Sequence, residues 1–389
     1  MKKYFRNVLT ALAAVWLSAS FTACEKDNGG DEGNEDNDAL YASILENYVS
    51  TTVVPTYKAL AEAALEMRTA NAALKSSPSD ATMATAAAAW MKARIEWEKS
   101  EAFLFGPVGE QALDIDGHID SWPLELNDIQ AVLQDGAQGL TGQKAWRMEP
   151  EVIGFHVTEY LLYREGKPRL YTDLSEAERD YLTAATDALV WDCVLAYVAW
   201  VGESSVPATM QTVFRENPDV VAHLEDNPNY KNFAGRLTSA AGYSSYANAL
   251  REISGGAADI AGEVGATKIE SPYSGQKVEE VESWYSWHSL DDYQNNILSI
   301  KNAYLGGLDN QSRQTVTLSA YIAGVNPALD SQVKAKIEDC LTKIAAIGTG
   351  GKSFYEVVRD QINAAQVDAA VTACGDLERL FGQVSETIE

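Results

Sequence analysis

The sequence predicts an all-α protein. Apolar residues recur at three- and four-residue spacing along most of its length, strand-like alternation is scarce, and glycine, proline or asparagine bounds most of the periodic segments. Residues 39–389 are enough for two cores at ordinary domain size, and no internal repeat is visible.

Leu45, Tyr48, Val49, Val53 and Leu60 place a helix over 40–75, with Pro55 as an expected kink or break. An alanine-rich helix over 80–105 follows, ending with Trp90, Ile95, Trp97 and Phe103 on an apolar stripe. Glu149-Pro150 precedes an apolar segment that opens on Gly154, and Ser175 with Glu178 forms a capping box that opens a helix over 176–201. Later helices are expected at 219–224, 233–266, 278–306, 311–324, 330–347 and 354–389. The stretch 106–143 reads instead as a long irregular section carrying Asp114, Asp116, His118, Asp120, Trp122, Pro123 and Glu125. Loops of that length in a compact protein are usually functional or mobile, and a metal ligand could come from this one.

The first residues follow a secretory pattern. Lys2, Lys3 and Arg6 precede an apolar run over 8–20, and Phe21-Thr22-Ala23-Cys24 is a small-residue cleavage site ending in cysteine, so 1–24 reads as a lipoprotein signal with Cys24 the lipidated residue. Residues 25–38 hold seven acidic side chains, one lysine and three glycines but no aliphatic side chain. Such a segment cannot bury enough apolar surface to offset its ordering entropy and reads as a solvated tether. No later run reaches the roughly 18 to 20 apolar residues that cross a bilayer. The expected location is the cell envelope, lipid-anchored at the outer membrane, and acidic residues directly after a lipidated cysteine can also serve as an address for its outer surface.

A formal net charge of -26, with no cluster of lysine and arginine, argues against nucleic acid or an anionic membrane surface as partner. Cys193, Cys340 and Cys374 show no CxxC spacing, which leaves no zinc knuckle or thioredoxin site. Cys193 reads as a buried small residue, whereas Cys340 and Cys374, on two helical segments, could pair in an oxidising compartment.

The most informative stretch is Gly154-Phe155-His156-Val157-Thr158-Glu159, a GxHxxE hexapeptide in a chain with 4 histidines. On a helix, positions i and i+3 share a face, so the His156 imidazole and the Glu159 carboxylate point the same way and could hold a metal ion, carry a proton or form a structural pair. A zinc peptidase of the HExxH kind needs a glutamate beside its first histidine to activate water, and Val157 stands there.

Five blocks in order resemble the imelysin-like family: Trp90 through Pro107, Trp122-Pro123-Leu124, the hexapeptide with Tyr160-Leu161-Leu162, Asp292 through Gly306, and Leu318 through Asp330. The resemblance implies two helical-bundle halves, roughly 39–210 and 211–389, with a cleft between them that holds His156 and Glu159. The family was first described as peptidases and also resembles the metal-binding part of lipoproteins of iron uptake. Glu101 lies in a matching block and is the expected third metal ligand beside His156 and Glu159. Asp114 from the polar section, with Asp292 and Asn296 from the second half, completes the expected ligand-binding set. Members often carry a Thr-His-Arg-Asp run where this chain reads Ser289-Leu290-Asp291-Asp292, which puts any role of that histidine in doubt and leaves His288 two positions away.

The function expected is an anchored lipoprotein that binds a metal ion, iron or zinc, or a small ligand, in iron acquisition with an envelope transport partner. A zinc-dependent metallopeptidase and a non-catalytic interaction protein are the alternatives. Cys24→Ser should release the protein from membranes, since no other anchor is visible; a mutant that stays in the membrane fraction after a salt wash would refute the anchor.

Overall fold

Two prolines show how the helices are built. Proline has no N–H and its ring crowds the carbonyl four residues back, so it strains an α-helix at its own position. The chain passes Pro55 by widening Val49–Val53 into a π turn between Asn34–Tyr48 and Val54–Ser76, and passes Pro272 by the same device at Glu263–Glu270, between Tyr246–Gly262 and Ser271–Gly275. Pro55 therefore does not break the first helix.

The computed structural model describes residues 34–109, 112–135, 137 and 139–389, of which 38–389 form one compact unit. The signal, Cys24 and the tether up to residue 33 lie outside the described residues. Helices carry nearly all the regular structure; the described strands are one antiparallel ribbon, Tyr163–Arg164 with Lys167–Pro168.

One group of packed helices consists of Val54–Ser76, Asp80–Glu98, Gly154–Leu162 and Glu176–Val201. Trp90, Trp97 and Trp200 are fully buried there, and the indole Nε1 of Trp90 donates to the Phe155 carbonyl at 3.0 Å. Truncating any of them would cost about 3–5 kcal/mol. Glu176–Val201 opens on the expected Ser175/Glu178 capping box. By length and composition it could cross a membrane, which corrects the expectation that no later run would, but its side chains form the core of this group. The second group consists of Tyr246–Gly262, Ser289–Leu305, Pro327–Ile347 and Ala364–Thr387. Cys340 and Cys374 are buried on the last two as free thiols, and Cys193 is buried as expected.

The groups meet at the turn Glu101–Phe103, which packs on Tyr246–Gly262 and Ser289–Leu305. The backbone N–H of Ala102 donates to Ser299 Oγ at 2.9 Å. Gly256 admits the Ala102 carbonyl, since a Cβ there would lie 2.3 Å from that oxygen.

Several expected helices are divided. The 233–266 stretch contains Phe233–Thr238, a turn, and Tyr246–Gly262; 354–389 is interrupted at Gln361 and Asn363, both with positive φ. Within 278–306 only Val278–Glu280 and Ser289–Leu305 are helical, and within 311–324 the helix starts at Leu318. The section 106–143, in contrast, is not irregular throughout: Ile115–Ile119, Leu126–Asp135 and Gly142–Trp146 are short helices.

His118 fastens this section to the core. Its Nδ1 lies 2.7 Å from Asp192 Oδ2 and its Nε2 3.0 Å from the Trp146 carbonyl, while Trp146 Nε1 donates to Asp192 Oδ1 at 2.8 Å. Both ring nitrogens face acceptors, the arrangement of an imidazolium. Burial opposes that charge, but Asp192 and the carbonyl outweigh burial and raise the His118 pKa. Stability from a raised pKa is complete below the unfolded value of about 6.5 and is lost as pH rises through the folded value. His118→Asn should therefore cost about 1–3 kcal/mol near pH 6 and less near pH 9; denaturant unfolding of both proteins at the two pH values checks this, and an equal gap at both would refute the charged pair.

Candidate metal centre

Gly154 starts the helix Gly154–Leu162 with φ +79, and a Cβ on it would lie 2.4 Å from the carbonyl oxygen of Ile119. Only glycine accepts both that backbone angle and that approach. The contact brings the end of Ile115–Ile119, and with it Asp120, against the helix that carries His156. His156 Nε2 lies 3.1 Å from Asp120 Oδ1 and 3.8 Å from Glu282 Oε1. On the other side of the ring, Nδ1 lies 3.3 Å from Glu159 Oε2. Glu159 is fixed in turn by Ser286, whose backbone N–H and hydroxyl donate to its Oε1 at 2.8 and 2.6 Å. The Trp122 ring packs on the imidazole at 4.7 Å, and Trp97 Nε1 donates to Asp120 Oδ2 at 2.6 Å.

Glu282 and Ser286 come from the turn that precedes Ser289–Leu305. Ser283 and Trp287 hold left-handed backbone at φ 49 and φ 62, which costs on the order of 1–3 kcal/mol each and is sustained by the surrounding packing. Trp287 stacks on Tyr355 at 6.0 Å, and the turn also packs Trp284 on Tyr285 at 4.8 Å.

Beneath the imidazole lies Arg94, fully buried. Its guanidinium contacts Asp120, Glu98 and Glu282, the last at 2.6 Å, and its Nε lies 3.8 Å from Asp292 Oδ2. Lys268, brought in by the π turn Glu263–Glu270, lies 3.3 Å from Glu282 Oε2. These charges set the titration of the site. Burial raises Glu282, but Lys268, His156 and Arg94 outweigh it and hold the carboxyl well below its ordinary range. Burial likewise works against Asp120, yet Arg94 and His156 keep it low. Burial prevails at Asp292, which is pushed up to about 7, and at Glu98, which also rises, with Arg94 opposing in both. Burial and Arg94 both depress His156, but the carboxylates of Asp120, Glu159 and Glu282 around the ring outweigh them and carry its pKa well above the ordinary value.

Among the described residues, Asp120, His156 and Glu282 form a carboxylate and imidazole group whose ligand atoms all lie within 4.8 Å of one another. A cavity of about 230 Å³, lined by Glu101, Asp116, Asp120, Trp122, Lys268 and Glu282 among others, opens beside it. One histidine and two carboxylates are donors suited to iron or zinc.

His156 and Glu159 thus meet as the spacing predicts, with Glu159 on the nitrogen turned away from Asp120 and Glu282. Glu101 lies on the cavity wall, 3.9 Å from Lys268 and outside the three-residue group. Asp114 precedes Ile115–Ile119 with φ 49. Asp292 and Asn296 share a face of Ser289–Leu305 beside Arg94 and Glu98, and Asn296 Nδ2 donates to the Glu98 carboxylate. His288 pairs with Asp291 at 3.0 Å, and His223 with the Leu113 carbonyl at 2.9 Å.

Residues 53–384 match the Peptidase M75 family, described as imelysin. The chain belongs to the imelysin family. It is similar to iron-regulated protein A of Synechococcus elongatus, 27% identical over 301 residues, which are 77% of this chain and 72% of that protein. It also resembles the crystal structure of a protein assigned as an iron-regulated protein A precursor from Parabacteroides distasonis. That match has a TM-score of 0.76 and 28% identity and covers 93% of this chain and 98% of the other. An imelysin-like protein from Psychrobacter arcticum, 12% identical with a TM-score of 0.59 over 88% of this chain and 93% of that one, shares the fold.

In this imelysin chain the sequence reading did not single out Arg94, Lys268, Glu282 and Ser286. Arg94 lies inside a block that resembles the family, where its sequence position gives it no role, and Glu282 and Ser286 lie within an expected helix. Asp120 was visible in the polar section but not distinguished from its neighbours. Gly154→Ala should destabilise the fold by about 2 kcal/mol or more; urea unfolding measures it, and an unchanged midpoint would show that the approach to Ile119 does not fix the helix start.

Proposed function

We propose that this imelysin-family protein binds a metal ion through His156, Asp120 and Glu282 and serves iron acquisition in the cell envelope, anchored through Cys24. The observation that carries the reading is the buried Nε2 of His156, which makes no hydrogen bond of normal geometry and faces two carboxylates from different elements. Glu159, held by Ser286, acts as the outer partner that fixes the ring and its tautomer, the usual support for a metal-binding imidazole. The ion is cargo in this reading, and the protein supplies a buried, oxygen-rich seat beside an acidic cavity. The names of two relatives, both iron-regulated protein A, support iron; the family's description as a peptidase supports zinc as the alternative ion. The net charge of -26 argues against nucleic acid as a partner, and a partner in envelope transport belongs to the same proposal.

The test is calorimetric titration of the mature protein with Fe²⁺ and with Zn²⁺. His156→Ala, Asp120→Asn and Glu282→Gln should each weaken binding by about tenfold or more, and Glu159→Gln should do so through the ring. Binding unaltered in His156→Ala would sink the site. The loaded protein should leave unfolded substrates uncut; cleavage that disappears in His156→Ala would instead establish the peptidase reading.

A further inference from the structure

Arg94 occupies the site from below with the same oxygens that the imidazole faces. Asp120 Oδ1, 3.1 Å from His156 Nε2, also takes Arg94 Nη1, and Glu282 Oε1, 3.8 Å from that nitrogen, takes Nη2 at 2.6 Å. The guanidinium therefore bridges these two buried carboxylates, with Lys268 on the other oxygen of Glu282 and His156 facing both. On its inner side the pairing is incomplete. Arg94 Nε donates no hydrogen bond, and Asp292, fully buried with the Ser283 hydroxyl close by, accepts none of normal geometry on either oxygen. The 3.8 Å between Nε and Asp292 Oδ2 is too long for a hydrogen bond and short enough to be closed by a small turn of the side chain. Glu98, one helical turn after Arg94, touches Nη2, the nitrogen that also meets Glu282.

We infer that Arg94 is an exchangeable internal cation: it holds Asp120 and Glu282 while the centre is metal-free, and shifts its hydrogen bonds to Asp292 and Glu98 when a multivalent cation claims the outer oxygens. The inference rests on the metal-binding reading above. Charge accounts for the direction. A monovalent ion would replace one positive charge by another and gain nothing, whereas a divalent or trivalent ion neutralises the outer pair and frees Arg94 for Asp292, which accepts no hydrogen bond of normal geometry. The exchange selects by charge, and it tightens Asp80–Glu98 against Ser289–Leu305, which carries Asp292. Arg94, Glu98 and Asp292 are then positioning residues that never touch the ion.

Asp292→Asn in the mature protein separates this role from a structural one. Calorimetric titration with Zn²⁺ should show affinity reduced by about tenfold or more, with partial recovery in Asp292→Glu. Thermal unfolding in the presence of a chelator should show the metal-free Asp292→Asn protein close to the parent in stability, because in that state its carboxylate accepts no hydrogen bond of normal geometry and lies 3.8 Å from Arg94 Nε. Glu98→Gln should weaken binding in the same direction. Parent-like affinity in both Asp292→Asn and Glu98→Gln would overturn the exchange and leave the metal centre standing. A parent protein that binds neither Zn²⁺ nor Fe²⁺ would overturn both.

Discussion

A buried arginine is tolerable only if enough negative charge surrounds it, and Arg94 draws that charge from across the fold. Glu98 comes from its own helix, Asp120 from the polar section, and Glu282 and Asp292 from the second group of helices. Removing water from five such groups costs several kcal/mol per ion, so the cluster is weak evidence for stability. It does join elements remote in sequence. A helix displaced by one turn would leave a charge unpaired in the interior, which is a cost added to that of disturbing the apolar packing at the seam.

The fold class was legible because helical spacing and alanine content say the same thing at every scale. Breaks were less so. Gln361 and Asn363 end and begin helices through left-handed backbone that no apolar pattern announces, and Glu282 to His288 interrupts what reads as one continuous helix because Ser283 and Trp287 take angles that non-glycine residues seldom adopt. Of the kink or break expected at Pro55 the break is absent, since a π turn accommodates the ring without ending the helix. In 106–143 the short helices are held by contacts remote in sequence, such as His118 with Asp192.

The candidate site was half visible for a related reason. His156 and Glu159 lie within one turn of helix, so local spacing suffices to join them. Asp120 and Glu282 reach the same imidazole only through tertiary structure: one because Gly154 lets Ile119 approach, the other through a strained turn some 120 residues further along the chain. Nothing in the residues around Glu282 marks it, in sequence, apart from acids that stay at the surface, and Glu101, which the family block favours, faces Lys268 instead.

The chemistry of the site follows from how completely its groups are engaged. A hydrolytic metal centre needs an open coordination position and a base free to take a proton from water. Here Asp120 is held by Trp97 and Arg94, Glu282 by Lys268 and Arg94, and Glu159 by Ser286, so each carboxylate already has a donor. Those donors would be useful to a carrier. They would pair the carboxylates when no ion is present and set a competitor against the ion that moderates its affinity. A seat that must both capture and release its cargo is better served by such a competitor than by an empty cage of charges, and this is the physical ground on which binding is the stronger reading of the site.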